Sequence, residues 1–282
     1  MFLSFSDYFS FELMWSRIPK LLDKIPITLE LAGLSFVISI VLGLLIAVIR
    51  YKNIKGLTQL AKLFLSIIRG TPMLIQLYVA YYGIPAILKG INAIFNAGID
   101  TNIIPKIVYA FLALGIYQSA FTSETFRAAL LSVDKGEIEA AHAMGMTYPQ
   151  ILRRVIIPEA LENAMPGIAN SLIGLVKGTS LASTCGIIEI TYQNSILAGR
   201  DYRYLEGYVA LAIIYWIITI ILEQIFKIIE RKIRIPEQPA PIKSDDDNDN
   251  NKKDKLQFFK KFFKKDKKND LGDSGLRVDS SV

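Results

Sequence analysis

The chain has 282 residues, of which 52% are hydrophobic, and it carries a formal net charge of +6 at pH 7. Several apolar runs of about 20 residues indicate a polytopic membrane protein and exclude an ordinary soluble domain, whose core needs no such runs. In a membrane protein, a positive net charge is more typical of lysine and arginine on the cytoplasmic side than of nucleic-acid binding. One cysteine, Cys185, and one histidine, His142, exclude an internal disulfide and a zinc site built from this pair.

The first 26 residues combine apolar side chains with Arg17, Lys20 and Lys24. They lack the basic start and the small-residue cleavage site of a signal peptide. We therefore expect residues 1–26 to be a retained, amphipathic N-terminal segment, followed by a transmembrane domain over residues 27–234.

Five apolar segments in that domain are candidates for transmembrane helices. They are Ile27–Ile49, Leu60–Tyr82, Ile107–Thr122, Ile168–Ile190 and Glu206–Ile229. The second is interrupted at Arg69–Pro72, and the third is short. The pattern predicts an all-α membrane protein with about five transmembrane helices.

Basic residues beside these segments set the expected orientation. They cluster after the first, third and fifth segments, at Arg50, Lys52, Lys55, Lys62, Arg127, Lys135, Arg153, Arg154, Lys227, Arg231, Lys232 and Arg234. We expect a multi-pass protein of the plasma membrane with its N-terminus outside and its C-terminus in the cytoplasm. The basic residues that precede the first segment weaken this asymmetry.

Residues 235–282 differ in composition from the rest of the chain. The tail is polar and of low complexity, which predicts a disordered cytoplasmic segment. Within it, residues 255–268 hold seven lysines and one aspartate, with phenylalanines that would share one helical face. This basic amphipathic patch is either a helix on the anionic lipid of the inner leaflet or a solvated tail.

Between the third and fourth segments the chain becomes more polar and carries helix-capping signals. Asp134 and Glu137 are spaced as an N-cap and its partner. Gly145 stands where a helix stops in a left-handed conformation. These signals predict a cytoplasmic hairpin whose first helix covers Lys135–Met144.

The second arm of the hairpin is predicted to begin at a capping box of Thr147 and Gln150 and to run to Pro158. The first arm is rich in small side chains, which allow a partner surface to approach closely, and glutamates beside them offer charges to a basic partner. An ordinary loop whose helix packs on its own protein has the same features. The residues of interest are Glu139, Ala140, Ala141, Gly145 and Pro158.

The order Glu139-Ala140-Ala141, then Gly145, then Val155-Ile156-Ile157-Pro158 resembles the EAA loop of ABC importer permeases. Three further motifs resemble those of the polar amino-acid branch, namely Arg69-Gly70-Thr71-Pro72, Ala120-Phe121-Thr122-Ser123-Glu124 with Arg127, and Lys177-Gly178-Thr179-Ser180-Leu181. The resemblance covers about residues 25–234. It implies the fold of a type I ABC importer permease, in which Glu139, Ala140, Ala141, Gly145 and Pro158 dock a cytoplasmic ATPase.

The chain has no phosphate-binding G-x-x-x-x-G-K-S/T motif; in the nearest string, which starts at Gly174, the lysine precedes the glycine. We therefore expect no catalytic residue, metal or cofactor on this chain. The resemblance implies ATP and magnesium on separate ATPase subunits. It also implies an extracellular solute-binding protein and a second permease, either a copy of this chain or a homologue.

Lys177 lies within the fourth segment, where a charge costs about 2.5–3.5 kcal/mol on insertion scales. Asn170 and Thr184 are each seven residues away, on the same helical face. An amino-acid substrate needs a cation for its carboxylate, which Lys177 supplies, and an acceptor for its ammonium, for which Glu124 is the candidate. The predicted substrate-path residues are Glu124, Asn170, Lys177, Thr179 and Ser180.

Structural alternatives exist for these charged residues. Lys177 either pairs with Glu124 or caps a broken helix, and Arg69 is expected to snorkel or to fix the kink beside it. Gly178 stands where the family has aspartate, which favours neutral substrates such as cystine or glutamine.

Together these features predict the membrane permease subunit of an ATP-driven amino-acid importer. The alternative is an ion-coupled carrier or channel that works without an ATPase. Such a carrier predicts internal repeats, and the sequence has no convincing repeat. A scaffold without a solute path leaves Lys177 unexplained.

Overall fold

The computed structural model describes residues 9–95, 98 and 104–234, and every regular element within these residues is helical. The helices are α1 (Phe11–Leu22), α2 (Ile25–Tyr51), α3 (Leu57–Gly70), α4 (Met73–Phe95), α5 (Lys106–Leu131), α6 (Lys135–Ala143), α7 (Tyr148–Ile151), α8 (Ile157–Gly178), α9 (Ile190–Asp201) and α10 (Tyr204–Ile233). A π-helical turn, Leu152–Ile156, joins α7 to α8, and a 3₁₀ helix, Thr179–Cys185, follows α8. The predictions for the tail lie outside the described residues.

Three helices, α2, α4 and α10, are long and apolar enough to cross a membrane, and a pair bent by 48° at its break, Tyr148–Cys185 with Ile190–Asp201, is a fourth candidate. The third predicted segment lies within α5, which has 26 residues but carries polar and charged side chains in its second half. The class of an all-α membrane protein is confirmed, with three or four spans supported by composition.

Helix α2 packs along α5 through small side chains. Ser35, Ser39 and Gly43 are buried on one face of α2, and Gly115 and Ser119 are buried on α5. A Cβ atom at Gly115 would lie 2.8 Å from the Ser35 carbonyl oxygen, so the backbones approach as closely as glycine allows. Small residues produce this contact between membrane helices because dispersion forces replace the hydrophobic effect in lipid.

The interruption predicted at Arg69–Pro72 in the second segment is present, and the chain forms two helices there, α3 and α4. The predicted bounds of the segment, Leu60–Tyr82, are wrong. Thr71 is extended between α3 and α4, as expected for a residue before proline, and α4 then continues to Phe95 instead of ending at Tyr82. The Gln76 side chain closes the break by donating to the carbonyl oxygen of Ile68 at 2.7 Å.

The predicted fourth segment is also not one continuous helix. Helix α8 ends at Gly178, and after the 3₁₀ helix Gly186 adopts a left-handed conformation with φ of +75°. Glu189 then caps α9 by accepting from the Tyr192 N–H at 2.9 Å. The Tyr215 hydroxyl of α10 donates to the same carboxylate at 3.1 Å, so the break is tied to a neighbouring helix.

The amphipathic helix α1 packs against α9 and α10. Arg17 is 3% exposed and forms a bidentate ion pair with Asp201, with Nη2–O distances of 2.6 and 2.7 Å. Its Nη1 donates to the carbonyl oxygen of Arg203 at 2.6 Å. One cation therefore fixes the N-terminal helix to the turn between α9 and α10.

Candidate functional site

The hairpin of Asp134–Pro158 begins with α6, whose ends are fixed by the predicted signals. The Asp134 carboxylate accepts from the Gly136 N–H at 2.7 Å. At the other end Gly145 has φ of +79°, donates to the His142 carbonyl oxygen at 2.9 Å, and is followed by a bond from Met146 to Ala141. This pair of bonds is the glycine stop predicted from the sequence.

The partner of Asp134 is not the predicted Glu137. Glu159, at the start of α8, accepts from the Asp134 N–H at 3.3 Å. Tertiary packing thus replaces a local capping box, because α8 brings its own carboxylate to the end of α6.

Helix α6 has an outer and an inner face. Glu139, Ala140 and Ala143 are exposed, and Met144 is 75% exposed. Ala141 is 2% exposed and lies against the rest of the protein. Of the predicted docking residues, Glu139 and Ala140 therefore form an open surface, while Ala141 anchors the helix beneath it.

Two apolar side chains of the outer surface were not predicted from the sequence. Met144 and Tyr148 are 75% and 55% exposed on either side of Gly145. Large exposed apolar side chains in a polar hairpin are a sign of a protein-binding surface. The signal in the sequence was the pair of apolar residues that flank the glycine stop.

The second arm differs from its predicted form. The Gln150 side chain accepts from the Thr147 N–H at 2.8 Å, as the capping box predicts, but Pro158 does not end the helix. In the π turn the Ile157 N–H donates to the Leu152 carbonyl oxygen, five residues back instead of four, and the chain passes through Pro158 into α8. A wider turn accommodates a proline ring because the carbonyl that it would otherwise meet is displaced.

An apolar cluster lies under the hairpin and joins it to the long helices. Its buried members come from α5, both arms of the hairpin and α8, and Phe226 and Ile233 of α10 pack at its edge. These members are Ala129, Val133, Ala141, Ile151, Ile156, Ala160, Ala164, Met165 and Ile168. The hairpin is therefore seated on the ends of three long helices.

The predicted path residues on α8 divide into exposed and buried ones. Asn170 and Lys177 are exposed on one face of α8, seven residues apart, with the exposed Gly174 between them. Thr179 is fully buried, and its hydroxyl donates to the Val176 carbonyl oxygen at 2.7 Å. Ser180 donates to the Lys177 carbonyl oxygen at 2.7 Å.

Glu124 is held among arginines. Its Oε2 lies 2.6 Å from Arg50 Nη1 and 3.8 Å from Arg69 Nη2, and its Oε1 accepts from Arg127 Nε at 2.8 Å. Helices α5 and α8 are antiparallel, with Thr122 beside Ser171 at 3.4 Å between hydroxyl oxygens. Because Lys177 lies six residues, about 9 Å, beyond Ser171 and Glu124 lies on the other side of Thr122, the structure does not bring Glu124 and Lys177 together.

Arg69 has structural contacts. Its guanidinium donates to the Ala120 carbonyl oxygen and lies over the Phe121 ring, 5.6 Å from the centroid. It therefore joins the break after α3 to the middle of α5. Within residues 9–95, 98 and 104–234, no group of three or more His, Cys, Asp or Glu side chains is placed to hold a metal ion.

Comparison with known proteins gives consistent matches. Residues 39–235 match the family described as the binding-protein-dependent transport system inner membrane component. The probable amino-acid permease protein YxeN of Bacillus subtilis is 39% identical over 225 residues, covering 80% of this chain and 96% of the relative. The L-cystine transport system permease protein TcyL of the same organism is 35% identical over 226 residues, with coverage of 80% and 92%.

A solved structure has the same fold. The crystal structure of an amino acid ABC transporter with histidines contains a chain that is 32% identical to this one. It superposes with a TM-score of 0.67, covering 79% of this chain and 99% of that one. The likeness extends over nearly the whole of the solved chain.

Proposed function

The chain belongs to the family of binding-protein-dependent transport system inner membrane components, and from that premise we propose that it is the permease subunit of an ATP-driven amino-acid importer. The hairpin is the observation that carries the proposal. Its outer face offers small and apolar side chains to a partner, and its inner face is seated on the ends of α5, α8 and α10. Such a hairpin transmits force to the long helices only when another protein binds its outer face.

The proposed partner at the hairpin is a separate cytoplasmic ATPase, which holds the ATP and magnesium. Glu139, Ala140, Met144 and Tyr148 form the contact surface, and Gly145 fixes its shape. A second permease, a copy or a homologue, completes the membrane part, and a solute-binding protein delivers substrate at the outer face. This arrangement requires the N-terminus outside and the C-terminus in the cytoplasm, as the basic residues predict.

The proposed substrate path follows the exposed face of α8. Asn170 and Lys177 line it, and the Lys177 ammonium receives the substrate carboxylate. A charge near the end of a membrane helix is stable only beside water, a partner or a ligand, which favours a path over lipid contact. Thr179 and Ser180 hold the backbone at Lys177, and Glu124 positions the arginines of α2, α3 and α5. Gly178 favours a neutral amino acid such as cystine or glutamine.

Reconstitution tests the docking surface. Proteoliposomes would contain the full chain, its ATPase and its binding protein, with labelled cystine and glutamine as substrates. We expect Ala140→Trp to block ATPase binding and uptake because it places a large ring on the outer face of α6. Lys52→Trp, at an exposed site in the α2–α3 connection, is the matched control. Normal ATP-coupled uptake with Ala140→Trp would overturn the docking proposal.

The substrate path has its own test. Lys177→Gln is expected to abolish uptake while ATPase binding stays normal, and Lys89→Gln, at an exposed lysine of α4, serves as control. Equal uptake by the two variants would refute the role of Lys177. The rival carrier or channel predicts uptake by this chain alone in an ion gradient, without nucleotide.

A further inference from the structure

An open pocket of about 400 Å³ lies beside α3, on the side of the bundle where α2 ends. Its lining comes from α3 and the last turn of α2, namely Arg50, Lys62, Leu65, Ser66, Arg69 and Gly70. Three of these six residues are cationic, and Ser66 adds a hydroxyl. The pocket therefore presents three cations and a hydroxyl group to an anion.

The positive charge of the pocket is only partly neutralised. Glu124 is the carboxylate that the described structure pairs with Arg50 and Arg69, and Arg127 competes for the same group. Three arginines therefore share one negative charge, and Lys62 adds a further positive charge at the rim. The three cations that line the pocket, Arg50, Lys62 and Arg69, exceed this one carboxylate by two charges. Guanidinium groups in such surplus bind phosphate oxygens with two parallel hydrogen bonds.

The apolar face of α3 lies next to this pocket. Ala61 and Leu65 are buried against the protein, whereas Leu60, Leu63 and Ile67 are 63%, 59% and 56% exposed at helical spacing. With 100° of turn per residue, Gly70 of the pocket and Leu63 of the exposed face are neighbours around the axis of α3. The pocket therefore borders the apolar face. A helix with one face for lipid and a basic flank lies at the boundary of headgroups and acyl chains.

We propose that this pocket binds the headgroup phosphate of an anionic phospholipid, with the acyl chains along Leu60, Leu63 and Ile67. Basic pockets between membrane helices bind anionic headgroups in this way. A free phosphate has the same charge but no part that uses the exposed apolar face. The proposal concerns a bound lipid and stands independently of the transported solute.

Native mass spectrometry of the full chain in detergent tests this site. The probes are dioleoyl phosphatidylglycerol, dioleoyl phosphatidylcholine and inorganic phosphate. We expect phosphatidylglycerol to be retained in preference to phosphatidylcholine. Lys62→Gln is expected to weaken that binding about fivefold, which corresponds to ~1 kcal/mol for one lysine near the surface. Ser66→Asp is expected to weaken it further, because it adds a negative charge to the pocket.

The matched control is Lys55→Gln, which removes an exposed positive charge just before α3 and outside the pocket. All three side chains are exposed, so the variants are expected to fold. Equal weakening by Lys55→Gln and Lys62→Gln would leave only a diffuse charge effect and overturn the site. The proposal also fails if the two lipids bind equally, or if inorganic phosphate displaces phosphatidylglycerol at equal concentration, which would indicate a soluble anion as the ligand.

Discussion

Replacing Gly145 tests whether the shape of the hairpin sets the strength of ATPase docking. The residue has φ of +79°, and no atom lies within 4 Å of a Cβ atom built on it. A Cβ atom here therefore meets no neighbour within the chain, and we expect the effect of Gly145→Val on this chain to come from the backbone. Asparagine tolerates the left-handed conformation better than other residues with a Cβ atom, so Gly145→Asn is the matched control.

The expected magnitude follows from this conformational preference. A left-handed residue with a Cβ atom costs roughly 1–2 kcal/mol, and a β-branched side chain costs more. If the chain escapes the strain by leaving this conformation, it loses the bonds from Gly145 to His142 and from Met146 to Ala141. For alanine the docking-competent fraction then falls by about 5–30-fold, and for valine it falls further, and the apparent affinity falls with it.

Binding of the purified ATPase to the full chain in nanodiscs measures this loss. We expect dissociation constants to rise in the order glycine, asparagine, alanine, valine, while insertion and thermal stability of the long helices change little. A valine variant with normal affinity would refute the argument. So would equal losses for asparagine and valine, because that result points to the loss of glycine itself and not to backbone strain.

Three further substitutions test the packing. Gly115→Ala is expected to lower stability by about 1–3 kcal/mol through overpacking, whereas Gly33→Ala, which meets no atom within 4 Å, is neutral in thermal unfolding. Asp201→Asn removes a charged acceptor from buried Arg17 and is expected to cost roughly 1.5–3 kcal/mol, seen as faster proteolysis of α1; unchanged proteolysis would contradict it. Gln76→Leu is expected to speed hydrogen exchange at the break before α4 by about tenfold, and unchanged exchange refutes this.

The elements that the sequence predicts well are governed by local rules. The α10 helix begins at Tyr204, two residues before its predicted start, because a continuous apolar run has few competing conformations. Helix α6 ends at Ala143 because Gly145, two residues later, accepts a positive φ. Motif order also identified the family, which composition alone would not have done.

The features that the sequence hides are governed by tertiary contacts. The second half of α5 is rich in polar side chains, and its hydroxyls donate to carbonyl oxygens of α5 itself. The charge of Glu124 is instead paired with arginines from α2 and α3. The cluster at Glu124 joins Arg50, Arg69 and Arg127, and the first two of these are distant in sequence. The periodicity of the sequence does not predict these ion pairs, because they depend on how α2, α3 and α5 pack.

Passage of the chain through Pro158 determines how force from the hairpin reaches the proposed path. If the helix ended at the proline, a flexible link would absorb the movement of α6. The chain instead enters α8, which has 22 residues and spans about 33 Å, with Lys177 in its last turn. We therefore expect displacement of the hairpin to move the end of α8 that carries Lys177, unless α8 bends at Pro166, which lies inside it. One residue after Pro166, Gly167 packs directly against the Thr125 side chain of α5, which leaves no room for α8 to bend towards α5 at that point.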